Sequence, residues 1–154
     1  MRLIRFLVLV GTVAVVAGPV HAGSVQRATP LKRISIESLQ EGAFTATGRS
    51  VCPAGQASTP FAAVSRNYPD GSLDLVVVKR FTCDDGSGTF EMTLHVRLKR
   101  LVSGTFENTF RWMISDGAGS YEDLEGYGTG GGMARNPGEL VDFYTGRVGS
   151  SKGD

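Results

Sequence analysis

Residues 89–99 alternate without interruption. Phe90, Met92, Leu94, Val96 and Leu98 fall on one side, and Glu91, Thr93, His95, Arg97 and Lys99 on the other. Side chains of a β-strand point to opposite faces in turn, so this stretch predicts a strand with one face in a core and one in water. Turn chemistry brackets it. Asp84-Asp85-Gly86-Ser87-Gly88 precedes it and Val102-Ser103-Gly104 follows. Glycine tolerates positive φ there, and aspartate side chains bond to nearby backbone amides.

The same alternation of strand and turn runs through most of the chain. Residues 72–83 (SLDLVVVKRFTC) are apolar and β-branched, and Pro69-Asp70-Gly71 joins them to 60–68 as a hairpin. In 105–115, Phe106, Phe110, Trp112 and Ile114 share a face that Asn108 interrupts. Further strands are expected at 32–37, 42–49, 126–134 and 139–147, the last two separated by Asn136-Pro137-Gly138. No long amphipathic helix appears after residue 22. Eight short strands with closely spaced turns predict an all-β fold, an antiparallel eight-stranded barrel. Closure also removes exposed sheet edges. An outer-membrane barrel is disfavoured, because the strands lack aromatic girdles.

The N-terminus has a different character. Arg2 and Arg5 precede an apolar run from Phe6 to Ala17, then Gly18-Pro19 and Val20-His21-Ala22. This is the layout of a cleavable secretory signal. The run falls short of the roughly 20 residues that span a bilayer, so no membrane span is expected after cleavage. The expected organisation is a signal peptide at 1–22, a leader at 23–31, a barrel domain at 32–148 and a tail at 149–154. Localisation would be secreted or periplasmic.

Export changes the charge and the thiol chemistry. The full chain carries 16 basic and 15 acidic residues. Loss of Arg2 and Arg5 leaves 14 against 15, a balance that argues against nucleic acid as a partner. The pairs Lys79-Arg80 and Lys99-Arg100 sit near strand ends and are expected to form a solvated rim. Cys52 and Cys83 are the only cysteines. In an oxidising compartment, without C-x-x-C spacing, they predict a structural disulfide.

One segment is distinctive. From Arg111 through Ser115 a strand runs into Gly117-Ala118-Gly119-Ser120-Tyr121; one helical turn is expected next, carrying Leu124, and then a Gly126-x-Gly128-x-Gly130 strand. The pattern resembles that of allene oxide cyclase-like and dirigent-like β-barrels, and of small secreted bacterial proteins of the same layout. It covers residues 89–134. The resemblance implies a barrel whose end is plugged by Tyr121 and Leu124. The plant cyclases of the group act on a fatty-acid epoxide in an apolar lumen, but none of their functional residues maps onto this chain.

Other motifs carry less. Gly126-Tyr-Gly-Thr-Gly-Gly131 satisfies G-x-G-x-x-G but does not open a helix in a βαβ unit, so it predicts no dinucleotide site. His95, the one histidine left after cleavage, falls on the polar face of its strand. With no other histidine, zinc lacks ligands, and no G-x-S-x-G elbow supports a serine triad. The acids at Asp84-Asp85 and at Glu122, Asp123 and Glu125 lack calcium-loop spacing and read as turn and surface groups. Asp74 and Asp142 are the acids at positions of mixed polarity. No cofactor is expected. The aromatic and methionine-bearing inner face offers Phe90, Met92, Phe110 and Trp112 as pocket lining. The favoured function is binding of a small apolar ligand. The alternatives are a cofactor-free isomerase or cyclase, which needs a polar or ionisable side chain in the lumen, and a structural or interaction protein of the envelope.

Overall fold

The computed structural model describes residues 30–103, 106–136 and 139–152. The expected signal at 1–22, and the leader as far as residue 29, lie outside the described residues. Eight strands follow one another: β1 (Lys32–Leu39), β2 (Gly42–Thr47), β3 (Ala54–Asn67), β4 (Leu73–Cys83), β5 (Gly88–Arg100), β6 (Phe106–Gly119), β7 (Leu124–Asn136) and β8 (Glu139–Ser150). Each pairs antiparallel with the next, and β8 pairs back on β1 from Lys32↔Val148 to Leu39↔Val141. The sheet therefore closes into a ring of eight strands, all-β as the periodicity predicts. No helix occurs among the described residues.

The turns form where the sequence places them, for the expected reasons. Asp70 Oδ1 accepts the Ser72 amide at 2.9 Å, and Asp85 Oδ1 accepts the Ser87 amide at 2.9 Å. Gly86 supplies the positive φ of 73° that a side chain would oppose. Three features differ from expectation. β3 begins at Ala54, six residues early, and β8 continues through Gly149 and Ser150, which the sequence places in the tail. The expected helical turn before Leu124 is instead a tight hairpin turn, in which the Leu124 amide donates to the Tyr121 carbonyl at 3.0 Å.

The core fills one end of the ring. Phe81 stacks on Phe90 with centroids 4.9 Å apart, Phe44 meets Phe81 edge-on at 5.2 Å, and Tyr121 closes over Phe90 at 5.5 Å. The Tyr121 hydroxyl reaches Ser87 Oγ at 3.0 Å. At this same end the Cys52–Cys83 disulfide ties the β2–β3 connection to the end of β4. Leu124 packs against the edge of the cluster.

The inner face of β7 carries no side chains at its centre. Gly126, Gly128, Gly130 and Gly132 all point inward, and their neighbours explain why. A Cβ at Gly128 would stand 2.5 Å from Trp112 Cζ2, and one at Gly130 would overlap the Phe110 ring. The glycine run is therefore floor space for large side chains of β6, which accounts for the motif without a nucleotide.

Two consequences can be measured by urea unfolding. Gly130→Ala overpacks the ring against Phe110 and should cost about 1–3 kcal/mol or more, while Thr129→Ala next to it stays near wild type. Replacing both cysteines with serine reopens a loop of sequence separation 31. The chain-entropy relation sets that loss at roughly 3–4 kcal/mol.

Candidate functional site

At the end of the ring opposite the aromatic plug the interior is not filled. A cavity of about 220 Å³ remains, walled by Leu75, Val77, Leu94, Val96, Leu98, Phe110 and Leu140. Its remaining lining is polar: Gln40, Thr59, Lys79, Asn108 and Asp142. Lys79 and Asp142 are 1% and 6% exposed.

Strand parity and register explain how these groups meet. On β4 the inward residues are Leu75, Val77, Lys79, Phe81 and Cys83, so Lys79 points to the core and not to the rim. This corrects the expectation that Lys79-Arg80 is a solvated pair; it holds for Arg80 alone, which is exposed and paired with Glu91 at 2.6 Å. The Lys79 ammonium donates to the Gln40 carbonyl and, at 3.1 Å, to the Thr59 hydroxyl. Thr59 reaches it where the β3–β4 register slips between Ser58 and Phe61, the local re-aiming that a bulge provides.

The second half of the polar group lies along one cross-strand row. Asn108 on β6 pairs with Gly132, and Gly132 pairs with Asp142. Asn108 Nδ2 donates to Asp142 Oδ1 at 3.3 Å. A side chain at position 132 would land on both groups, so Gly132 makes the room in which they meet. Asn108 Oδ1 is buried without a partner. The Tyr144 hydroxyl is close enough to Asp142 to feel its charge, yet its geometry completes no hydrogen bond.

The charges are shifted accordingly. Burial lowers the Lys79 pKa, partly offset by Asp142 and Glu41. Burial raises that of Asp142, opposed by the Asn108 hydrogen bond and by Lys79. Tyr144 is raised well above its ordinary value, first by burial and then by the Asp142 charge. Lys79 and Asp142 influence each other without a direct ion pair, across a space with apolar walls. Such a cavity can hold a polar group between a donor-rich side and an acceptor-rich side.

Of the four residues offered as pocket lining, all point inward and are buried. Only Phe110 lines the cavity. Phe90 belongs to the aromatic plug, Met92 packs within the core, and Trp112 covers the glycine floor while its Nε1 donates to the Thr129 carbonyl at 3.2 Å. His95 is exposed on the outer face. Asp74 is also on the outer face, held by Arg97 at 2.9 Å and by the Tyr68 hydroxyl at 2.7 Å. Among the described residues, no three of His, Cys, Asp and Glu gather as a metal site. Sequence reasoning misses Lys79, Gln40 and Thr59 as cavity residues and marks Asn108 only as a break in an apolar face.

The raised Asp142 pKa has a consequence for stability. A carboxyl raised in the folded state favours folding most when protonated. Its contribution is complete below the ordinary aspartate pKa of about 3.9 and is lost as pH rises through the raised value. Wild type should therefore lose stability relative to Asp142→Asn as pH rises from about 3 towards neutrality. Urea unfolding of both proteins at stepped pH reads the difference, and a difference flat with pH refutes the assignment. Comparison of the chain with protein families, with curated proteins and with solved structures finds no match.

Proposed function

We propose that this chain is an exported protein in which the strand ring acts as a small barrel that binds one small molecule, apolar in its body and neutral but polar at its head. The observation that carries this reading is the cavity itself: apolar walls ending on Lys79, Asn108 and Asp142. A dry cavity of about 150 Å³ takes a benzene-sized molecule, and common ligand sites start near 300 Å³. The volume of about 220 Å³ thus suits a single substituted ring or a short branched chain.

The nature of the head follows from the charges. Lys79 and Asp142 already balance one another, so a charged ligand would leave one of three buried charges uncompensated, at a cost of several kcal/mol. A hydroxyl, carbonyl or amide adds no such cost. A hydroxyl also donates to the orphan Asn108 Oδ1, removing the desolvation penalty of an unpaired acceptor.

Export is supported by the layout of residues 1–22 and by the Cys52–Cys83 bridge. Likeness to the allene oxide cyclase-like and dirigent-like group belongs to the same proposal. Its support is the eight-strand ring, the Tyr121 plug over Phe90 and the glycine strand that follows.

A second reading is proton transfer without a cofactor. One observation favours it: an acid with a raised pKa and an amine with a lowered one face the same cavity, the environment in which acid and base roles separate near neutral pH.

Native mass spectrometry of protein isolated from its host tests the binding reading. A bound species of low mass is expected, and Val96→Phe, which fills the cavity from its wall, should lose it without loss of stability. Added benzyl alcohol should bind several-fold more tightly than toluene, because only the alcohol reaches the polar end. Failure to take up either probe, with no native ligand, overturns the proposal.

A further inference from the structure

The outer face of the ring carries a second concave feature, independent of the cavity. Arg33 on β1 and Arg147 on β8 are direct cross-strand partners, and Arg147 in turn pairs with Tyr127 on β7. The next outward row runs Thr47, Ser35, Thr145, Thr129, Arg111. Together these residues line a groove of about 810 Å³ whose floor includes the bare backbone of Gly128 and Gly146. Both glycines turn their inner side to Trp112.

The electrostatics of the groove are one-sided. Three guanidinium groups and five hydroxyls, the Tyr127 phenol among them, line it, and among the described residues no carboxylate does. Like charges placed directly opposite on neighbouring strands destabilise a sheet, and Arg33 faces Arg147 in that way. Elsewhere on the surface Arg80 pairs with Glu91, Arg97 with Asp74 and Lys152 with Asp123. None of those pairs involves the three arginines. The outward acids nearest in the strand lattice are Glu37, four residues along β1 from Arg33, and Glu125, diagonal to Arg147, and neither lines the groove.

We propose that this groove binds a phosphate- or sulfate-bearing group, with the organic body of the ligand lying against Tyr127. Guanidinium forks match tetrahedral oxyanions in paired hydrogen bonds, and arginine is more weakly hydrated than lysine. The flanking serine and threonine hydroxyls add donors. Tyr127, 61% exposed, offers an unoccupied aromatic face beside the charges. Three arginines in a near-neutral chain suit one headgroup and not a polyanion, whose contacts depend on an extended basic surface. The group has two possible sources, a free small molecule or a lipid headgroup.

The test uses protein purified from its host, with phenyl phosphate as the free probe. Phosphatidylglycerol vesicles, against phosphatidylcholine vesicles, serve as the lipid probe. Phenyl phosphate should bind and weaken with added salt. Arg33→Gln with Arg147→Gln should weaken binding at least tenfold, Arg111→Gln should weaken it as well, and Arg80→Gln should leave it unchanged. Because the double variant removes a repulsion, it should melt no lower than wild type in phosphate-free buffer. Binding of phenyl phosphate alone assigns a free ligand, and binding of the phosphatidylglycerol vesicles, lost in the double variant, assigns a lipid. No binding of either probe, or binding that survives the double variant, overturns the proposal. Benzyl alcohol binding is the control for the inner cavity and should be the same in all these variants.

Discussion

Trp112, Phe110 and the Asn108–Asp142 pair all lie across the inner surface of β7, and they fit only because that surface is glycine from position 126 to position 132. The interior of an eight-stranded ring is just wide enough for side chains to fill it. Every volume placed there by one strand must be given up by another. β7 gives up nearly all of its share. The aromatic residues of β6 and the polar row at the open end occupy the released space, and the plug of Phe44, Phe81, Phe90 and Tyr121 completes the closed end. The cavity is what remains where Lys79 and Asp142 come inward in place of larger apolar groups.

That substitution is expensive. Taking an ammonium and a carboxylate out of water costs several kcal/mol each, and a pair not in direct contact recovers little of it. The Gln40 carbonyl, Thr59 and Asn108 offset part of this cost. Two apolar residues would fill the space with less penalty, yet the wall carries opposite charges beside an unpaired amide oxygen. The proposed binding of a small ligand would give these polar groups a use that packing for stability alone does not.

The parts of the fold legible in sequence are those where period and burial agree. β5 reads correctly from Phe90 to Leu98 because every second residue is apolar and none is ambiguous. The first six residues of β3, AGQAST, do not read as a strand because they are small or polar and carry no apolar stripe, although Gly55 and Ala57 are buried. The polar cavity was half legible. Asn108 shows in the sequence as an interruption of an apolar face, and Asp142 as an acid of mixed position. The sequence places Lys79 at a rim because two neighbouring cations suggest one. Counting back from Cys83 and Phe81 in steps of two would have placed it inward, since a bridged cysteine and a core phenylalanine set the parity of the strand. The Lys79–Asp142 encounter itself could not be read, because it depends on how β4 and β8 face each other after the ring closes.

The two proposed sites are not independent of one another in register. On β8 Asp142, Tyr144 and Gly146 face inward, while Thr145 and Arg147 face outward. A slip of one residue would exchange the sets, moving Arg147 into the apolar core and Asp142 into water. It would also press a side chain of β8 onto Trp112 where Gly146 now leaves room. Burying an uncompensated guanidinium costs far more than the mismatch of a few apolar contacts. The charged residues that define the inner and outer sites therefore also help to specify the pairing of β8 with β1 and β7. β7 adds to this specification, since a slip of one residue would turn Tyr127 and Thr129 inward onto Trp112 and Phe110, where Gly128 and Gly130 now leave room.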